Sequence, residues 1–201
     1  MIELVNILNQ EMKTDRTPFQ IRWRLERDKA FKERFYDKYE NDSIMKKEIP
    51  KNGPHTEYYE NGQIKWEMNF KDGKESGKWT EWEENGQICE ETNYKDGKEH
   101  GKWIVWYEDG QKYAEGNYID GMEDGKWTWW HDNGQKRYQT NFKDGKLEGK
   151  EIYWWRINGQ IMAQGNFKDN NKDGKWTQWD ENGQLEAETN FKDGKCISGD
   201  C

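Results

Sequence analysis

From residue 53 onward the chain runs in short alternating stretches cut at regular intervals by glycine. The stretch Gln87 to Tyr94 shows the pattern most clearly. One set of alternate positions reads Ile88, Glu90, Thr92, Tyr94; elsewhere the same set reads Ile64, Trp66, Met68, Phe70 or Leu185, Ala187, Thr189, Phe191. The other set is Glu or Gln followed by Asn, as in Glu91/Asn93, Glu115/Asn117, Gln139/Asn141 and Gln164/Asn166. A period of two predicts a strand with one packed face and one wet face. The preceding run, Lys78 to Glu83, is a short aromatic strand, and Asn85-Gly86 between the two is a strong hairpin signal. Trp79 and Trp82 stand three apart, so they share a face only across a bulge or bend. Helix is the poorer reading, because runs of six to eight residues between glycines are short for one.

The hairpin recurs. Gly-Gln pairs begin at Gly62, Gly86, Gly110, Gly134, Gly159 and Gly183, and a second series runs Gly53, Gly77, Gly101, Gly125, Gly149, Gly174. The first series is spaced 24, 24, 24, 25 and 24, and the second 24, 24, 24, 24 and 25. They define six units: 53–76, 77–100, 101–124, 125–148, 149–173 and 174–197, with a tail at 198–201. The extra residue of unit 5 lies where Trp154-Trp155-Arg156-Ile157 replaces Trp129-Trp130-His131-Asp132. Within each unit Asn-Gly and Asp-Gly mark corners, where a positive φ suits glycine best. The expected fold is mainly β: an elongated single-layer antiparallel sheet of about twelve strands, stabilised unit by unit rather than by one central core.

Residues 1–52 have a different pattern. Ile2, Val5, Leu8 and Met12, with Leu4, mark one face of a short helix. Thr17-Pro18 has the form of a helix start, and Phe19/Trp23, Ile21/Leu25 and Phe31/Phe35/Tyr39 recur at i, i+4, which predicts a second helix. A helical N-terminal segment there would cap the exposed first edge of the sheet; binding a partner is the alternative.

Composition narrows the class. Only 31% of the 201 residues are apolar and 36% are charged, with a net charge of −8. Such a balance suggests disorder, but 13 Trp, 10 Tyr and 7 Phe require a structure that buries rings. No run approaches the roughly 20 apolar residues of a membrane-spanning helix. The first residues lack the basic start of a secretory signal. Three cysteines (Cys89, Cys196, Cys201) fit a reducing, cytoplasmic setting better than a disulfide scaffold. Residues 1–52 carry a net +2 and the remainder −10, which disfavours direct nucleic-acid binding by the array and leaves mimicry of nucleic acid open.

The unit Gly-Lys-Trp-Thr-Glu-Trp-Glu-Glu-Asn-Gly-Gln, continued by Asn-Tyr-Lys-Asp-Gly-Lys-Glu-His-Gly-Lys, resembles the MORN repeat in its bacterial variant form. The array over 53–197 is similar to the YwqK-type antitoxin and immunity proteins. That resemblance implies a single-layer sheet of consecutive hairpins, protein partners, no catalytic activity and no cofactor; eukaryotic relatives are associated with membrane lipids.

The residues themselves offer little chemistry. His55, His100 and His131 occupy different unit positions, and serine is confined to Ser43, Ser76 and Ser198. Glu67, Glu91, Glu115 and Glu188 recur once per unit on the wet face, reading as a solvated ladder with no single acid standing out as perturbed. Asp169-Asn170-Asn171-Lys172-Asp173-Gly174, with Asp180 in twelfth place, superficially matches a calcium loop but falls on the repeat's own turn. Neither a metal nor a catalytic site is expected.

The expected function is therefore a non-enzymatic, protein-binding inhibitor of the antitoxin, immunity or phage anti-CRISPR kind. Its acidic, aromatic array would block a toxin, nuclease or CRISPR effector. A structural scaffold or lipid-associated adaptor is the alternative. Val105, Tyr107, Trp129, His131, Trp154 and Trp155 are the candidate partner contacts, because they replace residues that are usually Glu, Gln or Asp.

Overall fold

The structure is a computed structural model that describes residues 50–200. The helical segment expected over 1–52 lies outside the described residues, apart from its last three. Residues 53–199 form a single open antiparallel sheet in which consecutive strands pair.

Unit 2 is representative. Its first strand, Gly77–Trp82, pairs along its whole length with the return strand, Ile88–Lys95, and a two-residue strand, Lys98–Glu99, comes next. The twelve long strands expected from the repeat are present. Five two-residue strands and a terminal strand, Lys195–Gly199, are added to them. The additions have a simple origin. Each two-residue strand begins the next unit's first strand, which then buckles before pairing again. Between units 1 and 2, Phe70 pairs with Glu75 and Glu67 with Thr80. Gly77 between them adopts φ 85°.

The bulge required by the Trp79/Trp82 spacing is present at every unit. The register shifts just before Tyr58, Trp82, Trp106, Trp130, Trp154 and Trp179. The two kinds of turn differ. In the Asp-Gly turns both residues have positive φ, as in Asp72 (53°) and Gly73 (74°), the geometry of a two-residue type I′ hairpin. In the Asn-Gly turns the positive φ falls on the glycine alone, so positive φ is an Asp-and-Gly property here rather than an Asn one. Asn170 is the exception, at φ 67° in the place of a turn glycine.

Period-two alternation is plain in the first return strand and is lost in the last, Leu185–Lys192, where Leu185 of the expected packed set is exposed. Trp66, Met68 and Phe70 are buried while Glu67, Asn69 and Lys71 between them are exposed. On the packed face the rings form chains: Trp103 to Trp127 at 5.2 Å, Trp127 to Trp129 at 5.8 Å, Trp129 to Tyr138 at 4.9 Å and Tyr138 to Tyr153 at 4.8 Å. Such pairs contribute about 0.5–1.5 kcal/mol each beyond the area they bury. Every one of these contacts lies within a unit or between neighbours, which is the nearest-neighbour stabilisation of a repeat array.

Candidate functional site: the Asn-Gly edge and the buried acid

The first turn position of each unit reads Tyr59, Glu83, Tyr107, His131, Trp155, Asp180. Four of these side chains reach forward to the next unit. Tyr59 Oη donates to the carbonyl of Trp82 at 2.8 Å, and Tyr107 Oη to that of Trp130 at 2.8 Å. Trp155 Nε1 donates to the carbonyl of Trp179 at 3.2 Å, and His131 Nε2 stands 3.5 Å from that of Trp154. Asparagines add a second row of rungs. Asn61, Asn133 and Asn158 donate to the carbonyls of Glu84, Arg156 and Glu181 at 3.1, 2.9 and 2.6 Å. Three of the candidate contacts, Tyr107, His131 and Trp155, thus take part in fastening one unit to the next. Burial raises the phenol pKa of Tyr59 and of Tyr107, and it lowers that of His131, against a raising contribution from its Trp154 carbonyl.

The other candidates divide. Trp154 is half-buried at the same edge, with Lys136 Nζ 5.6 Å above its ring. Trp129 is only 1% exposed and lies between Trp127 and Tyr138 on the packed face. Val105 is half-buried opposite Ala114, which is fully buried. The structure therefore gathers Tyr107, His131, Trp154 and Trp155 at one edge and places Val105 and Trp129 in the interior rows.

Both long edges carry charges of both signs. On the Asn-Gly side Glu84, Glu108, Asp109 and Glu181 are exposed, and Arg156 Nη2 donates to both Asp132 oxygens at 2.7 and 2.9 Å. The Asp-Gly side carries paired lysines, Lys71/Lys74, Lys95/Lys98, Lys143/Lys146 and Lys192/Lys195, each pair enclosing the turn aspartate. In unit 3 that pair is Ile119/Met122, 42% and 43% exposed.

The solvated carboxylate ladder is real in part. Glu91 pairs with Lys78, Glu115 with Lys112 and Glu188 with Lys175. The expectation that no acid stands apart is overturned. Glu81, Glu123 and Glu151 are buried, and Glu151 is 1% exposed. Glu151 occupies the unit position held by Trp79, Trp103, Trp127 and Trp176. Tyr138 Oη donates to its Oε2 at 2.6 Å, Tyr153 Oη to its Oε1 at 2.6 Å, and Thr140 Oγ1 to Oε2 at 3.3 Å. Burial raises the carboxyl pKa, and the three hydroxyls oppose that rise. Burial also pushes both phenols up, beyond any physiological titration. Lys172 interacts with Glu151 through charge; its ammonium lies 4.1 Å from the Trp176 ring centre and 4.9 Å from that of Phe191. Both Glu151 oxygens are engaged, so the carboxyl serves the joint between units 4 and 5. One signal could have found it: an acid standing in a tryptophan column.

The calcium-like stretch has other partners. Asp169 pairs with Lys146 at 3.0 Å and Asp173 with Lys192 at 2.9 Å, and these lysines hold both carboxyls below their ordinary pKa. Asn170 Oδ1 accepts the Leu147 N–H at 2.8 Å. Among the described residues no three His, Cys, Asp or Glu are grouped to hold a metal ion. The histidines lie apart: His55 is against Trp66, His100 beside Asp120 and His131 near the Trp154 carbonyl.

These features define a hairpin-repeat protein, an open sheet in which one 24-residue design is modified unit by unit. The MORN repeat variant profile matches residues 51–72, 75–96, 99–120, 123–144 and 172–193, and the chain belongs to that family. The matches begin at Lys51, whose carbonyl already accepts the Gly73 N–H as later units do. They skip the stretch holding Glu151 and the extra residue, although its hairpin has the same register as the others. No curated protein matches the sequence. Among solved structures, the GtfA/B complex bound to UDP and GlcNAc is 14% identical, with a TM-score of 0.23 over 45% of this chain and 18% of that one. A mutant of S. aureus TarM in complex with fondaparinux, alpha-GlcNAc-glycerol and UDP is 10% identical, with a TM-score of 0.30 over 85% and 31%. The chain spans less than a third of the length of either, and at these scores neither supplies an argument.

Proposed function

We propose that this protein is a non-enzymatic docking protein of the antitoxin, immunity or anti-CRISPR kind. It would inhibit a toxic effector, nuclease or CRISPR effector by seating its acidic, aromatic Asn-Gly edge on that partner's basic surface. The observation that carries the reading is the composition of this edge. The bulge before each strand-ending aromatic sets half-buried Trp82, Trp106, Trp130, Trp154 and Trp179 beside exposed carboxylates. Aromatic anchors supply most binding energy at protein interfaces, and an acidic field accelerates encounter with a basic partner. Occupying a basic nucleic-acid channel is the mimicry form of the same mechanism.

A second reading, a lipid-associated or scaffolding adaptor, is favoured by the exposed Ile119/Met122 pair at the opposite edge, which is flanked by lysine pairs in the neighbouring units. Two assays separate the readings. The full chain is used to isolate partners from host lysate at low and high salt, and the partner's activity is measured with and without it. Inhibition in a stoichiometric, salt-sensitive complex supports docking. Flotation with anionic liposomes and no stoichiometric protein partner would favour the adaptor.

A further inference from the structure

Five of the six Asn-Gly edge turns carry Asn immediately before Gly, and unit 3 carries Asp109-Gly110. Asn-Gly is the sequence most open to intramolecular deamidation, because glycine leaves its own nitrogen unshielded. That nitrogen attacks the asparagine Cγ, ammonia leaves, and water opens the resulting succinimide to aspartate or isoaspartate. The step needs only water as co-reactant. In every turn the glycine N–H is bonded to the first turn carbonyl, as Gly62 to Tyr59 and Gly183 to Asp180, both at 3.0 Å. The attacking group is therefore restrained alike throughout, and any difference between sites must come from the asparagine side chain.

The side chains differ sharply. Asn61, Asn133 and Asn158 are clamped at both ends. Each Oδ1 accepts the N–H two residues on, at 2.9, 3.1 and 3.0 Å, and each Nδ2 donates forward to the next unit. Asn85 keeps only the first of these bonds, to the Gln87 N–H at 2.9 Å. Asn182 keeps neither. In its turn Asp180 Oδ1 accepts the N–H groups of both Asn182 and Gln184, at 2.9 and 2.8 Å, displacing Asn182 from the usual role. Among the described residues its side-chain amide has no hydrogen bond, and the residue is exposed.

We infer that Asn182 is a deamidation site, and that these side-chain clamps protect the other asparagines increasingly: Asn85, with one bond, less than Asn61, Asn133 and Asn158, with two. The two products differ in consequence. Aspartate is already accommodated at the equivalent place in unit 3, where Asp109 Oδ1 accepts the Gln111 N–H at 2.9 Å. Isoaspartate adds a methylene to the main chain, and so disturbs the register of the last hairpin, Gly174–Trp179 with Leu185–Lys192.

The chain contains its own control. Glu60-Asn61-Gly62-Gln63, Glu84-Asn85-Gly86-Gln87 and Glu181-Asn182-Gly183-Gln184 are identical tetrapeptides with two, one and no clamps. The test incubates the full chain in mildly alkaline buffer and tracks the conversion of each amide to acid by peptide mass spectrometry after acidic digestion. Each clamp bond is expected to slow conversion by roughly two- to tenfold, which ranks Asn182 above Asn85 and Asn85 above Asn61. In denaturant the three rates should converge. Equal rates in the folded chain, Asn61 leading, or the same ranking persisting in denaturant would each overturn the inference.

Discussion

The indole of Trp127 occupies the space above Gly116 so closely that a Cβ there would come within 2.2 Å of its ring. Trp176 stands over Gly165 in the same way, also at 2.2 Å. At these two joints a large residue in one unit is matched by an absent side chain in the unit before. Neither glycine adopts a positive φ, so the reason for glycine there is space. Other joints solve the problem differently. Trp103 donates its Nε1 hydrogen to Glu90 at 2.7 Å, and Glu151 replaces the indole and takes a bond from Thr140.

Gly116→Ala should therefore destabilise the array by about 1–3 kcal/mol, as overpacking does in well-filled interiors. Ordinarily alanine would stabilise a strand relative to glycine. Urea unfolding monitored by tryptophan fluorescence gives the sign directly.

Glu151 confers a pH dependence of defined direction. Burial raises its pKa in the folded protein above the ordinary value of 4.5, so the folded state holds a proton that the unfolded state releases. Stability from this group is therefore greatest at acid pH. It falls as pH rises from the unfolded pKa through the folded one, and is level beyond. Glu151→Gln should abolish that component, visible as a flatter stability profile for the variant than for the native protein across this range. Glu151→Ala should be worse at every pH, because Tyr138 and Tyr153 then lose their acceptor.

Tyr107→Phe separates fastening from docking. Losing the bond to the Trp130 carbonyl should cost about 0.5–1.5 kcal/mol, while the ring remains to contact a partner. Tyr107→Ala removes both. If Tyr107 contributes to docking, affinity falls in the alanine variant alone, and calorimetric titration with the isolated partner measures it.

Hairpins, period and bulges were legible because backbone geometry repeats in the sequence. Gly, Asn-Gly and Asp-Gly recur every 24 or 25 residues, and the Trp79/Trp82 spacing has one structural solution. The side-chain exceptions were harder to read. Period-two alternation covers the return strands alone, whereas Glu123 and Glu151 lie in other strands and are buried, where cross-strand neighbours rather than residue type decide burial. The role of Tyr107 and Trp155 depends on an offset of 23 or 24 residues between a turn and the next unit's carbonyl, which only pairing between units reveals. Replacement of a repeated residue marked both kinds of position without telling fastening from recognition.

Two excisions test the central claim, that fold and stability are set by contacts between neighbouring units with matched joints. Deleting residues 125–173 joins unit 3 to unit 6 and sets Trp176 over Gly116, a matched joint. Deleting residues 149–173 joins unit 4 to unit 6 and sets Trp176 over Thr140. Tyr138 then stands in place of the Glu90 acceptor that Trp103 uses over Thr92, so that neither a glycine nor an acid accommodates the indole. Circular dichroism and urea unfolding of the two proteins should show the first folded and the second markedly less stable, although it retains more units. A first protein that fails to fold, or a second that is the more stable, would contradict the account.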